Sequence, residues 1–368
     1  MGNFPYKYCA KEQKKAMQIN KWGCYLRLFE LHLRSNSDNP LQTMKNMTRI
    51  PSFIILAGLA CTFIFLSSNK AQEPQDNNRA QRQMSNVLPP EIPTSITFAG
   101  DVIDLTLQDR RERMDKEMLS FTYSHINTTL IIKRANRLFP IVEPILKECG
   151  VPDDFKYLMI IESNGDPESL SPSKAGGLWQ FLEKTGREYG LEVNDEIDER
   201  YHTEKATRAA CKYLQDSYEA FGDWLTVAAS YNCGRANVTK RQESQKVQKA
   251  IDLVLPDETS RYIFRLMAVK TLLQNPAKYG FMLRSSDLYP VIPIECEVEA
   301  SGATIDWADF AKQHGLTFMQ LREANRWIRR ATHNNKTGKK YKVQIPNKDA
   351  LRYDPAKTEA HNPNWVVE

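Results

Sequence analysis

The chain has 368 residues, 41% hydrophobic and 26% charged, the balance of a soluble globular protein with room for two modest domains. Its formal net charge of +5 is unevenly placed: residues 1–49 hold nine Lys or Arg against three Asp or Glu, leaving 41 basic and 42 acidic residues beyond them. The body is therefore nearly neutral, which excludes the basic surface that nucleic-acid binding needs.

Residues 1–49 read as a basic N-terminal tail, with Trp22, Tyr25, Leu26, Leu28, Phe29, Leu31 and Leu33 spaced for a short amphipathic helix. Met44 and Met47 offer later starts, so this tail is either cytoplasmic or the product of an upstream start. Residues 50–66, IPSFIILAGLACTFIFL, carry no charge and follow Lys45 and Arg49. Seventeen apolar or neutral residues sit at the short limit of a membrane span. The segment is expected to act as an uncleaved signal-anchor or as the core of a cleaved signal peptide, with the body on the outer side of the membrane. Residues 67–94, rich in Asn, Gln, Ser and Pro, read as a linker.

Residues 95–126 begin with a hairpin: Ser95–Phe98 and Val102–Leu105 flank Ala99-Gly100-Asp101. Helical periodicity starts near Asp109 and runs to His125. Further helices are expected at 128–138, 141–149, 153–162, 183–189, 204–221, 224–231 and 260–274, with Gly150 as a stop and Pro152-Asp153 as a start. With almost no strand signal from 109 to 275, the body is mainly α. At Tyr289-Pro290-Val291-Ile292-Pro293 the character changes. A strand at 294–298, helices at 305–314 and 318–327, and a strand at 340–346 give a β-α-α-β order, followed by a tail over 348–368.

The informative stretch for chemistry is 157–189. Leu158, Met159, Ile160 and Ile161 deliver one carboxylate, Glu162, and the run then breaks into Ser163, Asn164 and Gly165. A carboxyl at the edge of an apolar run is held protonated toward neutral pH by desolvation, as proton donation to a poor leaving group requires. A surface Glu at a helix end is the plainer alternative. Gly176-Gly177-Leu178-Trp179-Gln180-Phe181 follows, then Ser230-Tyr231-Asn232-Cys233-Gly234, then Glu258-Thr259-Ser260-Arg261-Tyr262. The six His are scattered and neither HExxH nor Cys-x-x-Cys occurs, so no metal or cofactor is expected. Cys149, Cys211, Cys233 and Cys296 lack the spacing of a small stapled fold and are expected as free buried thiols.

In that order, the Glu-Ser, Gly-Leu-Trp-Gln-Phe, Tyr-Asn-x-Gly and Glu-Thr-x-x-Tyr motifs resemble the lytic murein transglycosylases, and within them the membrane-bound type D branch. The likeness runs from Asn127 to Phe281, departing at Ser230, where many relatives carry Ala. It implies a lysozyme-like helical domain over 127–285 and cleavage of the bond between N-acetylmuramic acid and N-acetylglucosamine, closing a 1,6-anhydro ring. Glu162 would be the single acid and base. Ser163 would orient it or its sugar. Gln180 would bond substrate, with Gly177 allowing close backbone approach. Tyr231 and Asn232 would line the cleft, and Tyr262 would bond the Glu162 carboxyl. Trp179 and Phe181 are assigned to the core. Residues 290–347 resemble LysM, a small peptidoglycan-binding module, through Leu321–Trp327 and the Gln-Ile-Pro ending. Ser301-Gly302-Ala303-Thr304 replaces the usual Gly-Asp-Thr, and 329–339 is an insert, so this domain either binds sugar or only packs on its neighbour. The implied partner is the peptidoglycan glycan strand, at the periplasmic side of the cell envelope, met by a monomer. A hydrolytic muramidase on the same fold and a non-catalytic peptidoglycan-binding scaffold are the competing readings.

Overall fold

A computed structural model describes residues 88–367, so the basic tail, the 50–66 segment and most of the linker lie outside the described residues. The described part opens with the expected hairpin, β1 (Ser95–Phe98) antiparallel to β2 (Asp101–Asp104). Ala99 and Gly100 turn it with φ of 51° and 94°. That left-handed pair matches the twist of the strands. The hairpin is bolted down by charge: Asp154 accepts from the Ala99 amide at 2.7 Å and pairs with Lys270, whose ammonium also reaches the Thr97 carbonyl.

Helices α1 (Gln108–Tyr123), α2 (His125–Glu148), α3 (Phe155–Ser163), α4 (Glu183–Glu188), α5 (Thr203–Phe221), α6 (Trp224–Cys233), α7 (Arg235–Gln245) and α8 (Asp257–Gln274) build the body. The break expected after Leu138 is absent: α2 runs unbroken through Pro140 and Pro144. Each proline removes a backbone donor. Burial of Ile131, Ile132, Ala135, Leu138, Phe139, Val142, Ile145 and Leu146 along one stripe offsets that loss. Helix α7 escaped the sequence reading because Val238 is its one buried residue, so it carries no apolar period. Small residues Ala206, Ala209 and Ala210 on α5 are buried and let α2 and α6 approach closely.

The second lobe holds β3 (Ile294–Ala300), β4 (Thr304–Asp306), α9 (Trp307–Gln313), α10 (Phe318–Ala324), β5 (Thr332–Asn334) and β6 (Tyr341–Pro346). The described residues are mainly helical, and the small strands other than the β1–β2 hairpin gather in this lobe. β3 pairs antiparallel with β6, and β4 with β5. The last pair lies partly inside the segment read as an insert. Its core is Trp307, Leu321, Trp327, Tyr341, Val343 and Ile345, and it also swallows Ile197 from the helical body. Across the junction the Asp198 amide donates to the Trp327 carbonyl at 2.9 Å and the Arg329 amide to Glu196 at 2.8 Å. Glu168 accepts from Arg322 at 3.0 Å, Arg326 at 3.4 Å and Arg329 at 3.1 Å.

Residues 348–367 return to the helical body. Trp365 is buried, its indole donating to the Leu273 carbonyl at 2.6 Å, and the Val367 amide donates to Leu283 at 2.8 Å. The four described cysteines are free, but the expectation of buried thiols needs correction. Cys211 is buried, Cys149 and Cys233 are half-buried, and Cys296 is exposed, because both faces of β3 are open around it. Among the described residues no helix is long and apolar enough to cross a membrane.

Candidate active site

Helix α3 is the spine of the site. Phe155, Leu158, Met159 and Ile160 are fully buried, held between α2 and α8. The helix ends at Asn164 with φ 53°, followed by Gly165 at 64°. This reversal stops the helix as soon as Glu162 has been delivered, so the carboxyl sits half-buried at the edge of an apolar block.

Tyr262, on α8, donates its hydroxyl to Glu162 Oε1 at 2.5 Å. Burial pushes the Glu162 carboxyl up to about 7. The Tyr262 hydrogen bond and the nearby Arg265 guanidinium oppose that rise, and Glu258 adds to it. Tyr262, Glu258 and Arg265 stand one turn apart on α8, which thus sets the electrostatics of the acid. Arg265 was not legible as a site residue; its only signal was the three-residue step from Tyr262.

Tyr231 and Asn232 end α6, which Asp223 caps by accepting from the Thr226 amide at 2.8 Å. The Tyr231 hydroxyl donates to the Trp179 carbonyl at 2.7 Å. Burial, and then the Glu162 charge, push this phenol well above its ordinary range, which places it in the same electrostatic environment as Tyr262. Asn232 accepts from Thr259 Oγ1 at 2.8 Å, which leaves its N–H donors uncommitted among the described residues. Sequence reasoning passed over Thr259, although it is the Thr of the Glu-Thr-x-x-Tyr motif.

The Gly176–Phe181 turn is built from inside. Trp179 and Phe181 are buried, and the Trp179 indole donates to Thr207 at 2.9 Å. The buried Arg200, paired with Asp198 at 2.7 Å, donates to the Lys174 and Phe181 carbonyls at 2.7 and 3.0 Å. Gly177 has φ 75°, and a Cβ there would lie 2.0 Å from the Arg200 carbonyl oxygen. Its close approach is therefore to the chain's own backbone. Gln180 adopts φ 50° and spends its amide N–H groups on the Ser169 and Gly177 carbonyls at 3.2 and 2.8 Å. Only its carbonyl end remains for another molecule. Ser163 is buried and donates to the Met159 carbonyl at 3.0 Å within its own helix. The structure thus gathers Glu162, Tyr262, Tyr231, Asn232 and Thr259 through α3, α6 and α8, and turns Ser163 and Gly177 inward.

Three other carboxylates near these motifs are committed elsewhere. Asp166 pairs with Arg134 at 2.9 Å, Glu168 holds three arginines, and Asp223 caps α6. Among the described residues no group of three or more His, Cys, Asp or Glu is placed to hold a metal ion.

Residues 141–254 match the transglycosylase SLT domain family, and residues 296–349 match the soluble lytic transglycosylase C-terminal LysM-like domain. Two curated relatives, each a membrane-bound lytic murein transglycosylase D, come from Escherichia coli strain K12 and Escherichia coli O6:H1. Each is 30% identical over 261 residues, which is 69% of this chain and 56% of the relative. The chain thus spans little more than half the length of these relatives.

Proposed function

We propose, from the match of residues 141–254 to the transglycosylase SLT domain and of 296–349 to the LysM-like domain, that this protein is a peptidoglycan lytic transglycosylase. It cleaves the β-1,4 bond from N-acetylmuramic acid to N-acetylglucosamine with one carboxyl, Glu162. In the first step the Glu162 proton passes to the glycosidic oxygen as the bond from that oxygen to the muramyl C1 breaks. In the second the Glu162 carboxylate takes the proton of the C6 hydroxyl, whose oxygen bonds to C1. The proton count closes, and no water is consumed. Asn232 Nδ2 is suited to holding the N-acetyl carbonyl against the positive charge developing at C1, with Thr259 fixing the amide by its oxygen. Tyr262 orients Glu162, and Gln180 meets substrate through its carbonyl.

The observation that carries this reading is a carboxyl held at about 7 beneath a tyrosine hydroxyl. Such a group is both a competent acid and a competent base near neutral pH. A two-carboxylate hydrolase needs a partner acid or base across the sugar. The carboxylate that Glu162 feels is Glu258, which is exposed at the start of α8 and is the residue a hydrolytic reading would use. Product analysis separates the readings. Anhydro-muropeptides from purified murein support the lyase, reducing-end muropeptides the hydrolase, and no soluble product a binding scaffold.

The expected workplace is the periplasmic side of the cell envelope, reached through the 50–66 segment. A reporter active only outside the cytoplasm, fused after residue 100, is expected to give signal; silence overturns the placement.

A further inference from the structure

Beyond the Glu162 cleft, a cavity of about 400 Å³ lies where the helical body meets the LysM-like lobe. None of Glu162, Tyr231, Asn232 and Tyr262 lines it. Its walls are partly apolar, including Ile141, Val291 and Pro346, and it also carries charge. Two of its arginines are neutralised: Arg134 by Asp166 at 2.9 Å, and Arg326 by Glu168 and Glu323. Arg137 is not. Its Nε donates to the Pro290 carbonyl at 2.8 Å and its guanidinium lies 5.4 Å from the Tyr289 ring centroid, but it forms no ion pair among the described residues. Burial and the neighbouring Arg326 disfavour that charge and Glu323 only partly offsets them, so the protein holds a cation without a salt bridge facing the cavity. Glu204, on another wall, takes a hydrogen bond from Gln344 at 3.2 Å and likewise forms no ion pair among the described residues, although Arg208 feels its charge. His202 supplies no cation, since burial holds it down at about 4.

A cavity of this size, with partly apolar walls and one charge of each sign free of a salt bridge among the described residues, fits a short zwitterionic peptide better than a neutral sugar. Resting on the lytic transglycosylase reading, we infer that the cavity binds the peptide stem of peptidoglycan. A stem carboxylate sits on Arg137, the ammonium of the stem's diamino acid meets Glu204, and alanine methyls lie on the apolar walls. The reach is adequate. Gly165, on the cavity wall, is three residues past Glu162, so their backbones are at most about 11 Å apart, and an extended stem of four residues spans about 14 Å. The cavity would favour strands that still carry peptides.

The test uses the full chain with Glu162→Gln, so that nothing is turned over, titrated with a sugar-free stem tetrapeptide by calorimetry and by amide shift mapping. Binding is expected, with shifts at Tyr289–Ile294 and at Arg326–Trp327. Adding Arg137→Gln is expected to weaken it at least tenfold, and Arg137→Lys to recover part of the loss. Glu204→Gln is expected to weaken the free peptide but not one whose ammonium is acetylated. Absence of binding, shifts confined to the Glu162 cleft, or equal affinity with and without Arg137→Gln overturns the inference. If the Arg137→Gln chain does not fold, the shift map and the acetylated peptide decide alone. Because the ligand has no glycosidic bond, its binding is read apart from turnover, and a wild-type chain that bound it yet released no anhydro product from murein would sink the lyase reading and leave this site standing.

Discussion

At the residue scale, the Glu162–Tyr262 pair makes two outcomes computable in sign. Glu162 is raised by burial to about 7, above the ~4.3 of an unfolded Glu. Below pH 4 both states hold the proton and the site costs nothing. Between those values the folded state keeps a proton that the unfolded state has released, so stability falls as pH rises, by on the order of 3 kcal/mol once past the folded value. Glu162→Gln cannot ionise. It is expected to lose turnover by about 10³-fold or more and to melt higher than wild type at pH 8 but not at pH 4, read by murein release and thermal unfolding. Loss of activity without that pH-dependent stability gap would remove desolvation as the cause of the raised acid. For Tyr262→Phe the sign is also fixed. The hydroxyl donates to the carboxylate and favours its charged form, so its loss raises the Glu162 value further. Turnover is expected to fall about tenfold through lost orientation, while the alkaline limb of the pH profile, near 7 in wild type, moves up. A limb that stays put refutes the Tyr262 role.

At the scale of the element, the Gly176–Phe181 turn shows how far the sequence could be read. The motif was visible, and so was Gly177 as a position of close approach. What the glycine approaches was not, because Arg200 lies twenty-three residues further on and nothing in its local sequence marks it as buried. Gly177→Ala is expected to cost about 3 kcal/mol or more, since both the positive φ and the Arg200 carbonyl resist a Cβ. Urea unfolding measures this, and a loss under 1 kcal/mol would mean that the turn yields easily. The same limit governs α2, α7 and Ser163. Periodicity located the apolar stripe of α2 but divided it into 128–138 and 141–149, because the tertiary burial that carries the helix past Pro140 is not written locally. It missed α7, which has no buried face to announce it. Ser163 follows Glu162 in sequence, but one step along a helix turns it about 100° away, into the core. Glu162 itself was legible because an apolar run ending in one acid and then a Ser-Asn-Gly break is a local pattern.

At the scale of the whole molecule, the LysM-like lobe is fastened to the helical body by several different means. Ile197 is buried in the lobe's own core, backbone hydrogen bonds cross at 196–198 and 327–329, and Glu168 gathers Arg322, Arg326 and Arg329. Glu168 follows Glu162 by six residues, on the loop that leaves α3, so the lobe is tied to the segment that terminates this helix. Removing this one carboxylate leaves Arg322 and Arg329 without their acidic partner and Arg326 with Glu323 alone. Glu168 is itself 31% exposed, so solvent screens part of that repulsion, and the expected loss is about 1–2 kcal/mol rather than the full cost of a buried broken pair. The effect belongs to the junction and not to the cores on either side. In Glu168→Ala, amide exchange is therefore expected to speed up about tenfold at Ile197–Asp198 and Trp327–Arg329, while α2 and α8 keep their protection. Glu168→Gln is expected to behave nearly as badly, since it keeps the shape but not the charge. Unchanged exchange in both variants would assign the docking to the remaining ties: Ile197, the backbone bonds and the pairs His333–Glu196 and Lys339–Glu192. Uniform loss across α2 and α8 would mean that body and lobe unfold as one cooperative unit.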